Sequence, residues 1–372
     1  MRRAIPVLLI TVFLAACGGN PATTTSAATT AGVAVSTGID AEELTEPGPY
    51  GVGRTELETT DASREGRRVR VRAFYPAVSE SPRPVPDAEA DPAGAPYPLI
   101  VGDGVIGDTL GPHLASHGFV FAAVQGQNTW GMSFNANMID FPLDHLAALD
   151  ALATLEEGPV AGLADTSRAG TTGHSFGAWN ALMLTGARID PDHYRRTCAS
   201  RPEGWSDNWW AYVCGSQDRW ELVVERAEQV GIATPDGLWD PMGDERISAA
   251  MLIGAEGFDM TGPEGLAGAT AAVLLVGGDA DDLSDYDPAT TQLFAHYPDA
   301  ELITFVGAGH FMIDYPDARA QVHRFAVAFF GYHLAEEEGY ARFLTEDFVE
   351  QEAPGLGDTN SFETLVWGIA GT

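Results

Sequence analysis

Positive charge is what this 372-residue chain has least of: 20 Lys+Arg stand against 53 Asp+Glu, a formal net charge of −33. So acidic a surface repels nucleic acid and anionic membrane faces, which argues against either as a partner. The acidity itself reads as a solubility feature, suited to a salty medium. Repetition is missing as well. No segment recurs at a fixed period, which argues against solenoids and propellers. Long apolar runs are absent, and the one near the N-terminus is too short to span a bilayer. Cysteine is scarce, with three in the whole chain. Apolar residues are not: a hydrophobic fraction of 45% is ample for a substantial core. The length allows one large α/β domain or two small ones.

Two arginines, an apolar run and small residues precede Cys17 in "MRRAIPVLLITVFLAAC", the pattern of a targeting segment rather than of folded structure. "LAAC" resembles the lipobox of bacterial lipoprotein precursors. That resemblance implies loss of residues 1–16, lipidation of Cys17, export to the cell envelope, and membrane contact through the lipid anchor alone. The alternative is an ordinary secretory signal with an incidental cysteine. The Gly/Ser/Thr/Ala-rich stretch from 17 to 47 cannot bury a core and reads as a flexible tether. With Cys17 used by lipid, Cys198 and Cys214 remain. An oxidising compartment lets them pair, closing a loop worth about 3 kcal/mol through chain entropy.

From about residue 48 the chain alternates. "RRVRVRAFYPA" alternates apolar and charged residues as a half-buried edge strand does. "YPLIVGDG" and "FVFAAVQGQ" are continuous apolar runs ending at glycine, the mark of strands buried on both faces. "DTLGPHLASHG" between them reads as a helix closed by glycine. "DFPLDHLAALDALATLEEG" is helical, with Leu143, Leu146, Ala147 and Leu149 on its apolar face and Gly158 to end it. Further β–α alternation follows to residue 335, ahead of a C-terminal extension over 336–372. The pattern predicts an α/β fold, with a mainly parallel sheet covered by helices on both faces. Residues 187–246 break the rhythm. They hold five of the eight tryptophans and both pairing cysteines, and read as a cap-like insertion with a helix or two over the C-terminal edge of the sheet.

Gly173-His174-Ser175-Phe176-Gly177 matches G-x-S-x-G between a predicted strand and a predicted helix, the context that separates this motif from chance. Glycines flank the serine because the turn is too sharp for side chains, and the turn exposes Oγ at a helix N-terminus, where developing negative charge is favoured. A serine hydroxyl needs a base, and the base needs an orienting acid. His310, in "FVGAGHFMID", is the candidate base. The acid ends the preceding buried strand, "LLVGGDADD": Asp281 fits the spacing Gly278-x-x-Asp281, with Asp279 as the alternative. Ser, acid, His is the chain order of the α/β-hydrolase fold. The other acids of that turn, Asp285 and Asp287 included, read as a solvated acidic turn. EF-hand spacing fails there at Leu283, so no metal is expected. Oxyanion donors are expected to be the backbone N–H groups of Phe176 and Val105. Asp103 occupies the place where families of this fold often carry histidine, and it is expected to point away or to anchor a neighbouring loop. Most of the insertion's tryptophans read as core rather than as an acyl pocket.

From about residue 48 to 335 the chain resembles the bacterial platelet-activating-factor acetylhydrolase-like and "predicted dienelactone hydrolase" branch of α/β-hydrolases. Cutinase-like polyester hydrolases, which share the Gly-His-Ser-x-Gly corner, are near relatives. The resemblance is carried by "GPYGVGRTELETTDASREGRRVRVRAFYPA", "LASHGFVFAAVQGQNTW", "DTSRAGTTGHSFGAWNAL", "DERISAAMLIGAEG", "LLVGGDADDL" and "GAGHF". It implies a serine carboxylic-ester hydrolase acting through an acyl-enzyme on a lipid-like, small or polymeric ester, with no metal or organic cofactor. True dienelactone hydrolases use cysteine where this chain has Ser175. The alternatives are a non-catalytic lipoprotein with a hydrolase fold, and an acyltransferase or peptidase using the same triad.

Overall fold

The predicted strands between residues 51 and 305 assemble into one twisted sheet, and helices cover both of its faces. The computed structural model describes residues 38–370 except 80, 82, 127–134, 216, 236 and 354–360. The targeting segment and Cys17 lie outside the described residues. A hairpin of β1 (Gly51–Asp61) and β2 (Arg67–Ala77) opens the chain, with a short β3 (Val85–Pro86) beside β1. There follow β4 (Tyr97–Asp103), α1 (Gly104–Ser116), β5 (Val120–Gln125), α2 (Asn137–Ala153), β6 (Ala164–His174) and α3 (Phe176–Leu184). The insertion supplies α4 (Pro191–Ala199), α5 (Asp207–Cys214) and α6 (Gln217–Val230). Then come β7 (Ile247–Ile253), α7 (Phe258–Leu266), β8 (Ala272–Gly278), α8 (Gln292–His296), β9 (Ala300–Phe305), α9 (Pro316–His333) and β10 (Leu365–Ile369).

The strand order is β10-β9-β8-β7-β6-β4-β5-β2-β1-β3, with β4 to β9 parallel and β2 and β10 joining antiparallel. Strands β4, β5 and β8 read as apolar runs because both of their faces are covered. Strand β7 is covered likewise: Ala249, Met251 and Ile253 join the core cluster of α1 and α9, while Ala250 and Leu252 join the cluster of α3 and α7. All nine residues of α3 are buried, so the helix that follows Ser175 is locked in place by apolar packing. From β4 the chain steps to β5 on one side, then returns to β6 on the other. The crevice beyond the C-terminal ends of β4 and β6 is therefore the topological switch point, the place where open α/β sheets hold ligands.

Several expectations require correction. Strand β2 is not an edge: it lies between β5 and β1. Its alternation reflects one solvated face, with Arg68 and Arg70 exposed and Val69 and Val71 buried. On α2, Leu143, Leu146 and Ala147 are only half-buried, because the inward face instead carries Met138, Phe141, His145, Leu149 and Leu152. That helix stops at Ala153, well before Gly158, where the N–H and hydroxyl of Thr154 both turn back to the Asp150 carbonyl. The tether does not extend to 47. Leu44 is buried, Arg324 Nε donates to the Ala41 carbonyl at 3.0 Å, and the His113 ring bonds the Leu44 carbonyl at 2.9 Å. Nor is the C-terminal extension an appendage. Phe343, Phe348 and Phe362 are buried, and β10 pairs with β9.

The insertion holds three helices, not one or two, each with its own anchor. Cys198 and Cys214 form a disulfide joining α4 to α5, with Cα atoms 5.3 Å apart. Asp285, expected in a solvated turn, is buried. It accepts the Ser206 N–H at 2.6 Å and the Ser206 hydroxyl at 2.8 Å, fixing the start of α5 to the turn after β8. The Arg226 guanidinium of α6 reaches Asp140 of α2 at 2.9 Å, both side chains being largely buried. Trp209, Trp220 and Trp239 are buried in the insertion's core.

Candidate active site

Ser175 sits between β6 and α3 with φ 57° and ψ −123°, a left-handed backbone that a side-chain-bearing residue rarely adopts. Two features enforce it. The Ser175 N–H donates to the Ile253 carbonyl of β7 at 2.9 Å, and α3 begins at the next residue. The flanking glycines are required for space: a Cβ on Gly173 would overlap the Gly177 carbonyl, and one on Gly177 would overlap the Asp103 carboxylate.

Of the two candidate acids, Asp281 and not Asp279 meets His310. Asp281 Oδ2 lies 2.8 Å from His310 Nδ1, and its Oδ1 accepts the N–H groups of Leu283 and Ser284, each at 2.9 Å. Three donors thus fix one carboxylate, and both members of the pair are buried. Asp279 turns outward to accept the Gly307 N–H at 2.6 Å. Because Nδ1 faces Asp281, Nε2 is the nitrogen left for chemistry. His310 and Ser175 line one cavity of about 350 Å³ at the switch point. His174, inside the elbow, also reaches His310: its Nε2 bonds the His310 carbonyl at 2.8 Å and its ring lies 4.8 Å from the His310 ring. Burial, followed by the neighbouring His310, pushes His174 down to about 4, which keeps it neutral.

The oxyanion donors divide. Phe176 N–H opens α3, where helix geometry offers it no carbonyl partner. Val105 N–H does not face the cavity as a free donor. It donates at 2.8 Å to Asp103 Oδ1, which also takes Ile106 N–H at 3.1 Å. The physical reason is ordinary helix capping. Asp103 is the extended residue immediately before α1, and an aspartate there captures the first N–H groups of the helix. Asp103 therefore anchors a helix as expected, yet it also lies directly under the elbow. Burial pushes its carboxyl up to about 6 against the pull of those N–H groups, and its Oδ2 has no hydrogen-bond partner among the described residues.

Sequence reasoning missed Glu256, Tyr212 and Asn208, which line the same cavity. A signal existed for Glu256: "IGAEG" places an acid just past a buried strand, as "VGD" and "GGDAD" do for Asp103 and Asp281. Among the described residues no cluster of His, Cys, Asp or Glu is arranged to hold a metal ion, and no helix is long and apolar enough to cross a membrane. No family model matches the chain, and no curated protein matches it.

Proposed function

We propose that this chain is a serine carboxylic-ester hydrolase with the α/β-hydrolase fold. The observation that carries the reading is the buried Asp281–His310 pair facing the cavity of a serine held in a strained strand-to-helix corner. Packing alone gives no reason for these three residue types to converge there. In the proposed cycle His310 Nε2 takes the Ser175 proton as Oγ attacks the ester carbonyl. Asp281 holds the resulting imidazolium, and Phe176 N–H, with the α3 dipole, stabilises the oxyanion. His310 then protonates the leaving alcohol, and water repeats the sequence to free the acid. The cavity mouth supports an apolar ester: Val105, Leu283 and Phe311 are exposed there, at 52%, 45% and 39%.

The engaged Val105 N–H favours a second reading, a hydrolase-fold binding protein with an incomplete oxyanion hole. Hydrolysis of p-nitrophenyl butyrate by the full chain separates the two. The enzyme reading expects turnover that falls by orders of magnitude in Ser175→Ala. Turnover within a few-fold of wild type in that variant would sink it. Export and lipid anchoring through Cys17 stand beside this reading as a proposal from the N-terminal pattern alone; mass spectrometry of the mature N-terminus tests it.

A further inference from the structure

The triad and the oxyanion donors leave two cavity-lining acids without a task, Glu256 and Asp314, and of these only Glu256 is buried. Glu256 follows β7, is 6% exposed, and shares the cavity with Ser175 and His310. Tyr212 Oη of α5 donates to its Oε1 at 3.0 Å. On its other side a void of about 10 Å³, room for a single water, is lined by Glu256, Tyr212, Trp209 and Asp259. Trp209 Nε1 and Asp259 Oδ1 are buried with no hydrogen-bond partner among the described residues, and both residues line that void.

The charges around Glu256 are of one sign. Asp259 acts on it from α7, Asp281 from the turn after β8, and the Tyr212 phenol from α5; His174 and His310 line the same cavity. No arginine pairs with it among the described residues. Burial, then Asp259, pushes Glu256 up to about 8, and burial pushes Asp259 up to about 7. Two carboxyls this close in a dry wall do not both ionise at neutral pH.

Resting on the ester-hydrolase reading, we infer that Glu256 is a specificity-determining residue: a neutral carboxylic acid that donates a hydrogen bond to a second, uncharged oxygen acceptor on the substrate. Tyr212 donates a hydrogen bond to Oε1, which leaves Oε2 to carry the acid's own proton. The substrate class is then an ester with an additional ester or ether oxygen, preferred over a plain hydrocarbon chain and over a cation-bearing one. A carboxylate at this position would instead favour a cation and would add negative charge beside Asp281.

The test compares three p-nitrophenyl esters with the full chain at pH 7: the heptanoate, the monomethyl glutarate and the trimethylammonio-butyrate. Wild type is expected to favour the glutarate over the heptanoate by about tenfold in kcat/KM, the worth of one hydrogen bond. Glu256→Leu is expected to bring that ratio to about one, whereas Glu256→Gln, whose amide still donates, retains it and removes its decline above about pH 8. No preference in wild type, or a preference that survives Glu256→Leu, would overturn the inference. So would a preference for the ammonium ester that Glu256→Gln abolishes. A readout without turnover covers the case in which Glu256→Leu fails to fold. The infrared absorption of protonated carboxyl groups at pH 7 should be weaker in Glu256→Gln than in wild type, and an unchanged band overturns the inference. If no ester is hydrolysed and a phosphonate probe leaves Ser175 unlabelled, the ester-hydrolase reading fails, and the inference with it. Turnover without the glutarate preference overturns the inference alone.

Discussion

Replacing Gly173 with alanine tests the corner directly. A Cβ there would overlap the carbonyl carbon and oxygen of Gly177 and stand 2.7 Å from Ala178 N. Ordinary contact needs roughly 3.5 Å, so the elbow or the start of α3 must yield by about 1.5 Å. Neither end is free to do so. Ser175 N–H is bonded to the Ile253 carbonyl, Gly173 lies within the β6–β7 ladder, and every residue of α3 is buried. Overpacking against backbone rather than a swinging side chain belongs at the upper end of the usual range, about 3 kcal/mol. A displacement of that size at the nucleophile should also cost about a hundredfold in kcat. Urea unfolding measures the first quantity and p-nitrophenyl butyrate hydrolysis the second. The control is Gly158→Ala: its φ of 97° strains alanine, yet nothing lies within 4 Å of the added Cβ. It should lose about 1–2 kcal/mol of stability and keep full activity. If Gly173→Ala unfolds at the wild-type urea concentration and turns over normally, the elbow is not under the steric constraint described here.

Asp281→Asn should reduce kcat by about ten-thousand-fold through loss of imidazole orientation, whereas Asp279→Asn should leave it within a few-fold. Equal effects would refute the assignment of the acid. Replacing Cys198 and Cys214 with serine should lower unfolding stability by about 3 kcal/mol, read from the shift of a urea midpoint. No measurable shift would contradict the bridge as a constraint on the unfolded chain. The pH dependence of stability carries a sign. The folded state holds the Glu256 proton up to about 8 whereas the unfolded chain releases it near 4.5, so this group lowers stability as pH rises between those values. Urea melts at pH 5 and pH 8 should differ less in Glu256→Gln than in wild type, and an unchanged difference would refute the buried-acid account.

What the residues announced in advance, and what they concealed, follows from how local each determinant is. Strands β4, β5 and β8 were legible because burial on both faces leaves an apolar run in each, whereas β6, "ADTSRAGTTGH", was legible through the motif that ends it. Ser175 was legible because its constraint lies within five residues, and His310 because it ends the strand after the acid. The placement of β2 was not, since one solvated face and one free edge produce the same alternation. β10 was hidden for a related reason: "LVWGI" becomes a strand only because β9 offers it an edge.

The acids at the strand ends make the same point within the site itself. Asp103, Glu256 and Asp281 each follow a buried strand of the sheet with glycine nearby, and the local sequence does not distinguish them. Their partners do. Asp281 meets an imidazole and two backbone N–H groups, and so orients the ring of the proposed base. Asp103 meets the first turn of α1, and becomes a cap that withdraws Val105 N–H from the cavity. Glu256 meets a phenol and another buried acid, with no cation paired to it among the described residues, and burial pushes it up to about 8. A carboxyl's role is thus set by the donors that reach it across the fold. Changing a donor should change a role more surely than moving the acid: Tyr212→Phe, which removes the one hydrogen bond to Oε1, is the substitution that should disturb Glu256 while leaving the Asp281–His310 pair intact.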